Sequence, residues 1–285
     1  MRYWNRNLIT STESEPTSSS ASGIFDLTSQ LIYKNASKWP ATQAPSGLVT
    51  TSLIVHLDAG DTNSYPGSGT TWTDLSGNNN DGTLVNGPTF NSANGGSIEF
   101  DGTNDDVTLG TQINSAITET DITISFWTYL DTTSGDRAFV AMNQVSTGSP
   151  LVIWHDASVY SRDNTGAGDA GGGTSNAIVA MVTDTSSSKR FSTSSNALSA
   201  NTWHNVAVVL DVTNNAFYTY IDGAEDAKYV STNTSLGLKS TSNSFDIGGA
   251  SYAYLDGRIA HFLVYTKALT ASEVLQNYNA LSGRF

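Results

Sequence analysis

The 285-residue sequence contains no cysteine. This absence excludes disulfide bonds, thiolate metal ligands and cysteine nucleophiles. Basic side chains are also scarce, because 13 lysines and arginines stand against 26 aspartates and glutamates, for a formal net charge of −13. Nucleic acids and anionic membrane surfaces are bound by clustered basic side chains, and no such cluster occurs in the sequence. We therefore expect neither partner.

Long apolar runs are missing as well, since no stretch approaches the roughly 20 apolar residues of a membrane-spanning helix. We expect no membrane insertion. Only 14% of the residues are charged, which is below the roughly 25% of typical domains. The polarity comes instead from serine, threonine, asparagine and glycine, which suit turns and the solvent-facing side of strands better than long helices. This composition predicts an all-β protein.

The sequence divides into two parts with different charge. Residues 1–47 carry four basic and three acidic side chains, whereas residues 48–285 carry nine basic and 23 acidic ones. Residues 11–22 are rich in serine, threonine, glutamate and proline, which predicts a flexible linker. We therefore expect an extended N-terminal arm with a linker over residues 1–47 and one folded domain over residues 48–285.

The predicted arm contains apolar residues that have no core of their own. Five of them are the candidates for burial on another surface: Trp4, Phe25, Leu27, Leu31 and Trp39. Two interpretations remain open at this stage. The segment packs on its own C-terminal domain, or it docks on a partner protein.

From residue 53 onward the pattern indicates short strands separated by turn signals, as in a sandwich or barrel. In residues 122–130 the alternation places Ile122, Ile124, Phe126 and Leu130 on one face. Further strands are expected over residues 203–210 and 217–221, and Asp-Gly pairs such as 222–223 predict tight turns.

One helix is clearly indicated near the C-terminus. Thr270 and Glu273 have the spacing of a capping box, in which each side chain satisfies a free backbone N–H of the first helical turn. The helical period then predicts one packed face, which is formed by the following four residues: Val274, Leu275, Tyr278 and Leu281.

Several motifs, in this order along the chain, resemble the concanavalin A-like, laminin G-type jelly-roll domains. They are HLDA at 56–59, TWTDLSGN at 71–78, DGTLVNGP at 81–88, SIEFDGTND at 97–105, WHNVAVV at 203–209, YIDG at 220–223 and GRIAHFLVYTKALTASEV at 257–274. The resemblance implies an antiparallel two-sheet jelly-roll sandwich with its first and last strands adjacent. It does not imply one function, because this fold carries lectins, glycanases, adhesion modules and virion proteins.

The N-terminal segment narrows this choice. GIFDL at 23–27 followed by WP at 39–40 resembles a segment of tailed-phage structural proteins, although Phe25 stands where that segment has tryptophan. NYNALSGRF at 277–285 also resembles the end of phage virion copies of this domain. The resemblance implies a virion component, with other virion subunits as partners and the virion surface as its location.

A catalytic motif is incomplete. Laminarinase-like members of the superfamily place two glutamates along one strand with an aspartate between them. Here Glu99 and Asp101 are present, but Asn104 stands in place of the second glutamate. An amide cannot act as general acid, and retaining glycosidases need two carboxyl groups. We therefore expect no enzymatic activity, with Ile98 and Phe100 facing the core and Glu99 facing solvent.

Two weaker sets of binding residues remain. Turn aspartates supply oxygen ligands for calcium, which jelly rolls of this type often hold; the candidates are Asp101, Asp105, Asp106 and Asp256. Aromatic residues near glycine-rich loops are candidates for stacking on sugars: Trp154, Tyr160, Tyr252 and Tyr254. We expect no required cofactor, and calcium is the one candidate for a bound ion.

The sequence thus predicts a non-enzymatic phage virion protein. Its arm would anchor it in the capsid, as a decoration protein, or in the tail or fibre. The jelly roll would bind host-surface glycans, and we expect a homo-oligomer. The second interpretation is a free-standing carbohydrate-binding lectin, and the third is a glycan hydrolase.

Overall fold

The computed structural model describes residues 47–142, 150–157, 175–187, 189–230, 236–249 and 253–285. They belong to one compact unit, Gly47–Phe285. All five predicted docking residues of the arm lie outside the described residues, so their role stays a prediction.

Strands follow one another through the described part of the chain, some with alternating apolar residues, as in β1 and β5, and others, as in β9 and β10, buried on both faces. The strands are β1 Leu53–Asp58, β2 Thr71–Trp72, β3 Gly82–Val85, β4 Thr89–Asn91, β5 Ser97–Asp101, β6 Asp106–Thr108, β7 Ile122–Leu130, β8 Arg137–Met142, β9 Leu151–Asp156, β10 Ala177–Thr183, β11 Lys189–Ala197, β12 Trp203–Asp211, β13 Ala216–Ile221, β14 Ala224–Val230, β15 Phe245–Ile247 and β16 Asp256–Tyr265. The helices are α1 Asn114–Ile117 and α2 Ala271–Leu281, with 3₁₀ turns at Ala93–Gly95 and Ser282–Arg284.

The strands pair into two antiparallel sheets. Sheet A has the order β14-β13-β12-β7-β16-β5-β4, and β1 pairs with β16 beside β5. Sheet B has the order β11-β10-β9-β8-β15-β6-β3-β2. The first and last strands are therefore neighbours, and the prediction of an all-β, two-sheet jelly roll with a short C-terminal helix is confirmed.

The main core lies between the two sheets. Ile122, Ile124, Phe126 and Leu130 all point into it from β7, as the alternation predicts. Sheet B contributes Phe139 from β8, whose ring centroid lies 5.2 Å from that of Phe126. Burial of these side chains is the dominant stabilising contribution, at roughly 1.5–3 kcal/mol for each large apolar side chain.

Helix α2 lies on the outer face of sheet A, the face turned away from the main core. Val274 packs with Val209 and Leu263 in a second apolar cluster. The buried Asn277 side chain accepts a hydrogen bond from the backbone N–H of Val49 at 2.9 Å and donates one to the Tyr265 hydroxyl at 3.0 Å. A buried amide is stabilising only when its groups are paired, and here both are.

The start of α2 agrees with the sequence prediction, and one residue of its predicted packed face does not. Thr270 and Glu273 form the capping box. Leu275, however, is 45% exposed, because the helix sits on the sheet through Val274 and Tyr278, and Leu275 turns to solvent. None of the described helices is long and apolar enough to cross a membrane.

Candidate functional site

Of the four aromatic residues expected to bind glycan, the structure describes two. Trp154 lies on β9 and is only 7% exposed, since it packs with Val152 and Met181 on the outer face of sheet B. Tyr254 is half-buried in the segment before β16. Tyr160 and Tyr252 lie outside the described residues. The buried Trp154 offers little surface for a sugar to stack on.

The incomplete catalytic motif lies on β5. Ile98 and Phe100 point into the core, as expected. Glu99 points to the outer face, where its Oε2 accepts a hydrogen bond from Asn91 Nδ2 at 2.9 Å and its Oε1 lies 3.6 Å from Arg258 Nη2. The Glu99 carboxylate therefore has two partners within the protein itself.

Asp101, the second residue of that motif, closes a turn. Its Oδ1 accepts a hydrogen bond from the Thr103 backbone N–H at 2.8 Å, and Gly102 follows with a φ of +74°, a conformation that favours glycine. These contacts support a structural interpretation of both carboxylates.

The structure brings the aspartates proposed for calcium near one another, but other parts of the chain engage several of their carboxylates. Asp101 and Asp256 are directly opposite each other in β5 and β16, and Asp256 Oδ2 lies 3.6 Å from Arg137 Nη2. Asp105 Oδ2 accepts a hydrogen bond from the Asp101 backbone N–H at 3.1 Å. The carboxylates of Asp105 and Asp256 are thus engaged by other parts of the chain.

The fourth of these aspartates, Asp106, belongs to the other sheet. Burial and the nearby negative charges of Asp246 and Asp105 raise the pKa of Asp106 to about 6. Within the described ranges no group of three or more histidine, cysteine, aspartate or glutamate side chains is arranged to hold a metal ion. The assignment of these four aspartates to a calcium ion therefore stays a prediction.

A groove that the sequence analysis missed lies on the outer face of sheet A, beside the start of α2. Its volume is about 330 Å³, at the lower end of the range of small-ligand pockets. It is lined by ten described residues: Val209, Asp211, Tyr218, Tyr220, Glu225, Lys228, Ala268, Leu269, Thr270 and Ala271. Strands β12, β13 and β14 form its floor, and the segment that enters α2 forms its wall.

Strand pairing determines which side chains meet in this groove. Tyr218 and Tyr220 are two residues apart on β13, so both point to the outer face. Lys228 of β14 is directly opposite Tyr218, and Glu225 is directly opposite Tyr220. Each tyrosine thus has one charged neighbour across the strand pair.

A tight turn and a β-bulge set this register. Asp222 and Gly223 connect β13 to β14 with φ values of +51° and +77°, as in the two-residue turns that Asp-Gly favours. The register then shifts by one residue between Thr219 and Tyr220, which leaves Asp226 as the extra residue of β14. Without this bulge, Glu225 and Lys228 would not both reach the outer face opposite the tyrosines.

The bulged Asp226 also connects the edges of the two sheets. Its Oδ2 accepts hydrogen bonds from the backbone N–H groups of Ser195, at 2.5 Å, and Asn196, at 3.2 Å, both on β11. Edge strands expose unpaired backbone groups, and this contact occupies part of that edge. The groove floor is therefore held at its outer strand.

Some polar side chains of the groove already have partners within the protein, and others are exposed to solvent. Asp211 is held by Asn214, whose backbone N–H and Nδ2 donate to it at 2.8 and 2.9 Å. The Lys228 ammonium lies 5.1 Å from the centre of the Tyr218 ring, within the range of a cation–π contact. Both Lys228 and Glu225 are exposed, so they remain accessible to a ligand.

Tyr220 lies deeper than Tyr218. It is 3% exposed, and burial together with the negative charge of Glu225 raises the pKa of Tyr220 to about 12, with a hydrogen bond between the two side chains. Tyr218 is half-buried and keeps part of its ring at the groove surface. The groove therefore combines an aromatic surface, a carboxylate and an ammonium group, which together suit a polar ligand with an apolar face.

One signal in the sequence points toward this groove. The alternation Phe217, Tyr218, Thr219, Tyr220 predicts two tyrosines on one face of a strand. The wall of the groove comes from residues about 50 positions further along the chain, and a bulge sets the position of Glu225. Neither of these is visible in the local pattern.

A family model described as the concanavalin A-like lectin/glucanases superfamily matches residues 101–275, more than half of the chain. The chain belongs to this superfamily. The resemblance found in the motifs is thereby confirmed at the level of the family and the fold. No curated protein matches the chain.

Solved structures of the same fold include several domains from larger proteins. Domain 4 of AbnA, an extracellular arabinanase from Geobacillus stearothermophilus solved with arabinotriose, has a TM-score of 0.58 and 15% identity over 80% of this chain and 98% of that one. The receptor-binding domain of botulinum neurotoxin C/D mosaic serotype has a TM-score of 0.59 and 15% identity over 81% of this chain and 52% of that one.

A Trypanosoma rangeli sialidase gives a TM-score of 0.58 and 13% identity over 86% of this chain and 36% of that one. The chain thus spans nearly all of the arabinanase domain, about half of the toxin domain and about a third of the sialidase. Identities this low establish the shared fold alone.

Proposed function

We propose that this chain is a non-enzymatic carbohydrate-binding jelly roll that acts through the groove on the outer face of sheet A. The observation that carries the proposal is the cross-strand pairing of Tyr218 with Lys228 and of Tyr220 with Glu225. A sugar ring would pack on the accessible part of Tyr218, while Glu225 would accept and Lys228 would donate hydrogen bonds to its hydroxyl groups. The arabinanase domain solved with arabinotriose and a botulinum neurotoxin binding domain solved with SialylT provide precedent for glycan binding by proteins that contain this fold.

The proposal excludes hydrolysis for a chemical reason. Glycoside hydrolysis needs two carboxyl groups placed on either side of the scissile bond. Glu99 is paired with Asn91 and Arg258, and Asp101 closes a turn. In the groove, Asp211 accepts two hydrogen bonds from Asn214, which leaves Glu225 as the accessible carboxylate.

A glycan array of the full-length chain, followed by calorimetry with the best binder, tests the groove. We expect Tyr218→Ala to weaken binding at least tenfold, because the variant loses the ring that a sugar packs on. Tyr254→Ala is the matched control, since Tyr254 is also half-buried but lies outside the groove. Loss of binding in Tyr254→Ala with normal binding in Tyr218→Ala would move the site to the aromatic set predicted from the sequence.

Incubation with the array glycans tests the absence of catalysis. We expect no reducing sugar to be released by the unmodified protein. Turnover that disappears in Glu99→Gln would instead assign hydrolysis to the β5 motif. Addition of a calcium chelator completes the test, and we expect unchanged affinity because the proposed contacts involve no metal ion.

We further propose that the chain is a virion component of a tailed phage, anchored by residues 1–47 with the jelly roll at the virion surface. The support is the resemblance of residues 23–27 and 39–40 to a segment of phage structural proteins, together with the change in charge after residue 47. Trp4, Phe25, Leu27, Leu31 and Trp39 would be buried against another virion subunit of the capsid or tail. Several copies, as a homo-oligomer or an array, would turn weak glycan contacts into avidity.

Mass spectrometry and electron microscopy of purified particles test this placement. We expect the chain on particles, and we expect the full-length double variant Phe25→Ser/Trp39→Ser to be lost from them. A protein that binds glycan but is absent from particles would instead be a free-standing lectin.

A further inference from the structure

We infer that the groove selects uncharged glycans and discriminates against sugars that carry carboxylate or sulfate groups. This inference rests on the proposed function, because it names the ligand class of the same groove. It depends on the charges that line the groove, on the start of helix α2 and on the charge of the surrounding domain.

The side chains that line the groove carry more negative than positive charge. Asp211 and Glu225 are carboxylates, and Lys228 is the one cationic side chain among the ten lining residues. Like charges repel one another, and they do so more strongly beside a protein surface than in bulk water. An acidic sugar in the groove would therefore be repelled by two carboxylates while it is attracted by one ammonium group.

The groove also lacks the usual side chain for recognition of oxyanions. Arginine binds a carboxylate or a sulfate through two parallel N–H donors, whereas the lysine ammonium acts as a point charge. No arginine is among the ten lining residues. The ammonium of Lys228 already interacts with the ring of Tyr218 at 5.1 Å, so an anionic ligand would have to compete with this contact.

The start of helix α2 forms part of the wall and is already capped. A helix N-terminus normally attracts anions, because its first N–H groups are free and its dipole is positive there. Here the Glu273 carboxylate accepts a hydrogen bond from the Thr270 backbone N–H at 2.9 Å, and the Thr270 hydroxyl accepts one from the Glu273 N–H at 3.3 Å. Lys267 pairs with the same carboxylate. The capping box therefore occupies N–H groups that an anionic ligand would otherwise contact, while the charges of Glu273 and Lys267 offset each other.

The net negative charge of the surrounding domain also disfavours the binding of acidic glycans. Residues 48–285 carry nine basic and 23 acidic side chains. A strongly negative domain slows the approach of an anionic ligand at low ionic strength. A neutral glycan meets no such barrier, and its hydroxyl groups hydrogen-bond equally well to Glu225 and Lys228.

Matched pairs of glycans provide the test. The probes are one neutral oligosaccharide with and without a terminal sialic acid, and the same oligosaccharide with and without a sulfate, titrated against the full-length chain. We expect the neutral member to bind at least tenfold more tightly at low salt. The difference should narrow in about 1 M salt, where the Debye length falls to about 3 Å.

Two variants locate the cause in the groove. Glu225→Lys reverses one charge and should bring the acidic member to within about threefold of the neutral one. Glu119→Lys makes the same change of charge outside the lining residues and should leave the preference unchanged. An acidic member that binds as tightly as its neutral partner to the unmodified chain, or a preference that Glu225→Lys leaves intact, would overturn the inference.

Failure of the proposed function would look different. If the chain bound no member of either pair nor any array glycan, carbohydrate binding itself would be refuted. If it bound glycans with an affinity that Tyr218→Ala does not change, the site would lie elsewhere and the argument from the groove charges would fail with it.

Discussion

The outer face of sheet A contains two regions built from similar strands that differ in what lies over them. In the first, Trp127 of β7 is covered by the rings of Tyr278 and Phe285, at centroid distances of 5.5 and 4.4 Å, and is only 3% exposed. In the second, Tyr218 of β13 lies beside the start of α2 and keeps part of its ring accessible. An aromatic residue on a strand thus stabilises the fold where another segment covers it and is available to a ligand where none does.

The largest expected effect is in the covered region. Trp127→Ala would remove a buried ring stacked on two others, and we expect the free energy of unfolding to fall by about 3–5 kcal/mol. Chemical denaturation followed by circular dichroism measures this change. Glycan affinity at temperatures well below the transition should stay within about twofold. A loss of affinity equal to that of Tyr218→Ala would show that the two regions act as one site.

In the second region, around Tyr218, a substitution should affect glycan binding more than stability. Tyr218→Ala is expected to weaken glycan binding by tenfold to a hundredfold, or about 1.4–2.8 kcal/mol. The free energy of unfolding should change by less than about 1 kcal/mol, because the ring is only half-buried. Calorimetry of binding and a thermal melt of the same sample separate the two effects. A large drop in stability with unchanged binding would assign Tyr218 a structural role.

A histidine pair beside the covered region, where His261 lies directly opposite Trp127, predicts a dependence of stability on pH. Nε2 of His56 and Nε2 of His261 are 3.1 Å apart, and His261 Nε2 lies 4.0 Å from Asp58 Oδ2. Burial lowers the pKa of both histidines, although the negative charge of Asp58 opposes this shift. At His261 the neighbouring His56 and Arg284 lower the pKa further, to about 3.

The lowered pKa values make the protein less stable as the pH falls. Because the folded-state pKa lies below the unfolded value near 6.5, the unfolded state binds protons first as the pH falls. The stabilisation is complete above about pH 6.5 and is lost progressively below it. We expect the histidine pair to contribute a loss of about 1–2 kcal/mol in unfolding free energy between pH 7 and pH 5. Asp106, whose pKa is raised to about 6, acts in the opposite direction over the same range, so the contribution of the pair is the difference between the unmodified chain and a histidine variant. Melts across this range should show a smaller loss in His261→Gln, and equal slopes would refute the assignment.

The smallest expected effect concerns the helix that separates the two regions. Leu275→Gln should change the free energy of unfolding by less than about 0.5 kcal/mol, since Leu275 is 45% exposed. Val274→Ala, at the neighbouring buried position, should cost about 2 kcal/mol. Equal costs for the two changes would mean that Leu275 is packed, as the helical period predicts.

Sequence reasoning succeeded where the information is local or is carried by an ordered set of motifs. The alternation in β7 and the capping box of α2 were predicted correctly, since each depends on residues within a few positions. The two-sheet fold followed from the order of the motifs along the chain. The packed face of helix α2 was predicted incorrectly at Leu275. Periodicity gives the angular spacing of the apolar side chains around the helix, but it does not determine which of them contact the sheet.

The candidate site was harder to predict for the same physical reason. The motif at Glu99 and Asp101 attracts attention as a sequence of carboxylates. Glu99 is paired with Asn91 of the preceding strand and with Arg258, which comes from a strand that is adjacent only in the folded sheet. The aromatic set predicted from the sequence includes Trp154, which the structure buries. Burial and pairing depend on contacts between distant segments.

The sequence by itself determined the class of this protein: an all-β domain without disulfide bonds, strongly acidic, with a capped helix at its end and strands whose alternation places one face in a core. Only the tertiary structure decided which polar and aromatic side chains remain available to a ligand. The groove exists because a bulge at Asp226 shifts the register of β14, and because the segment at 268–271 is brought beside β12 and β13. Local propensities are encoded within a few residues, whereas the accessibility of a side chain is decided by whatever the rest of the chain packs over it.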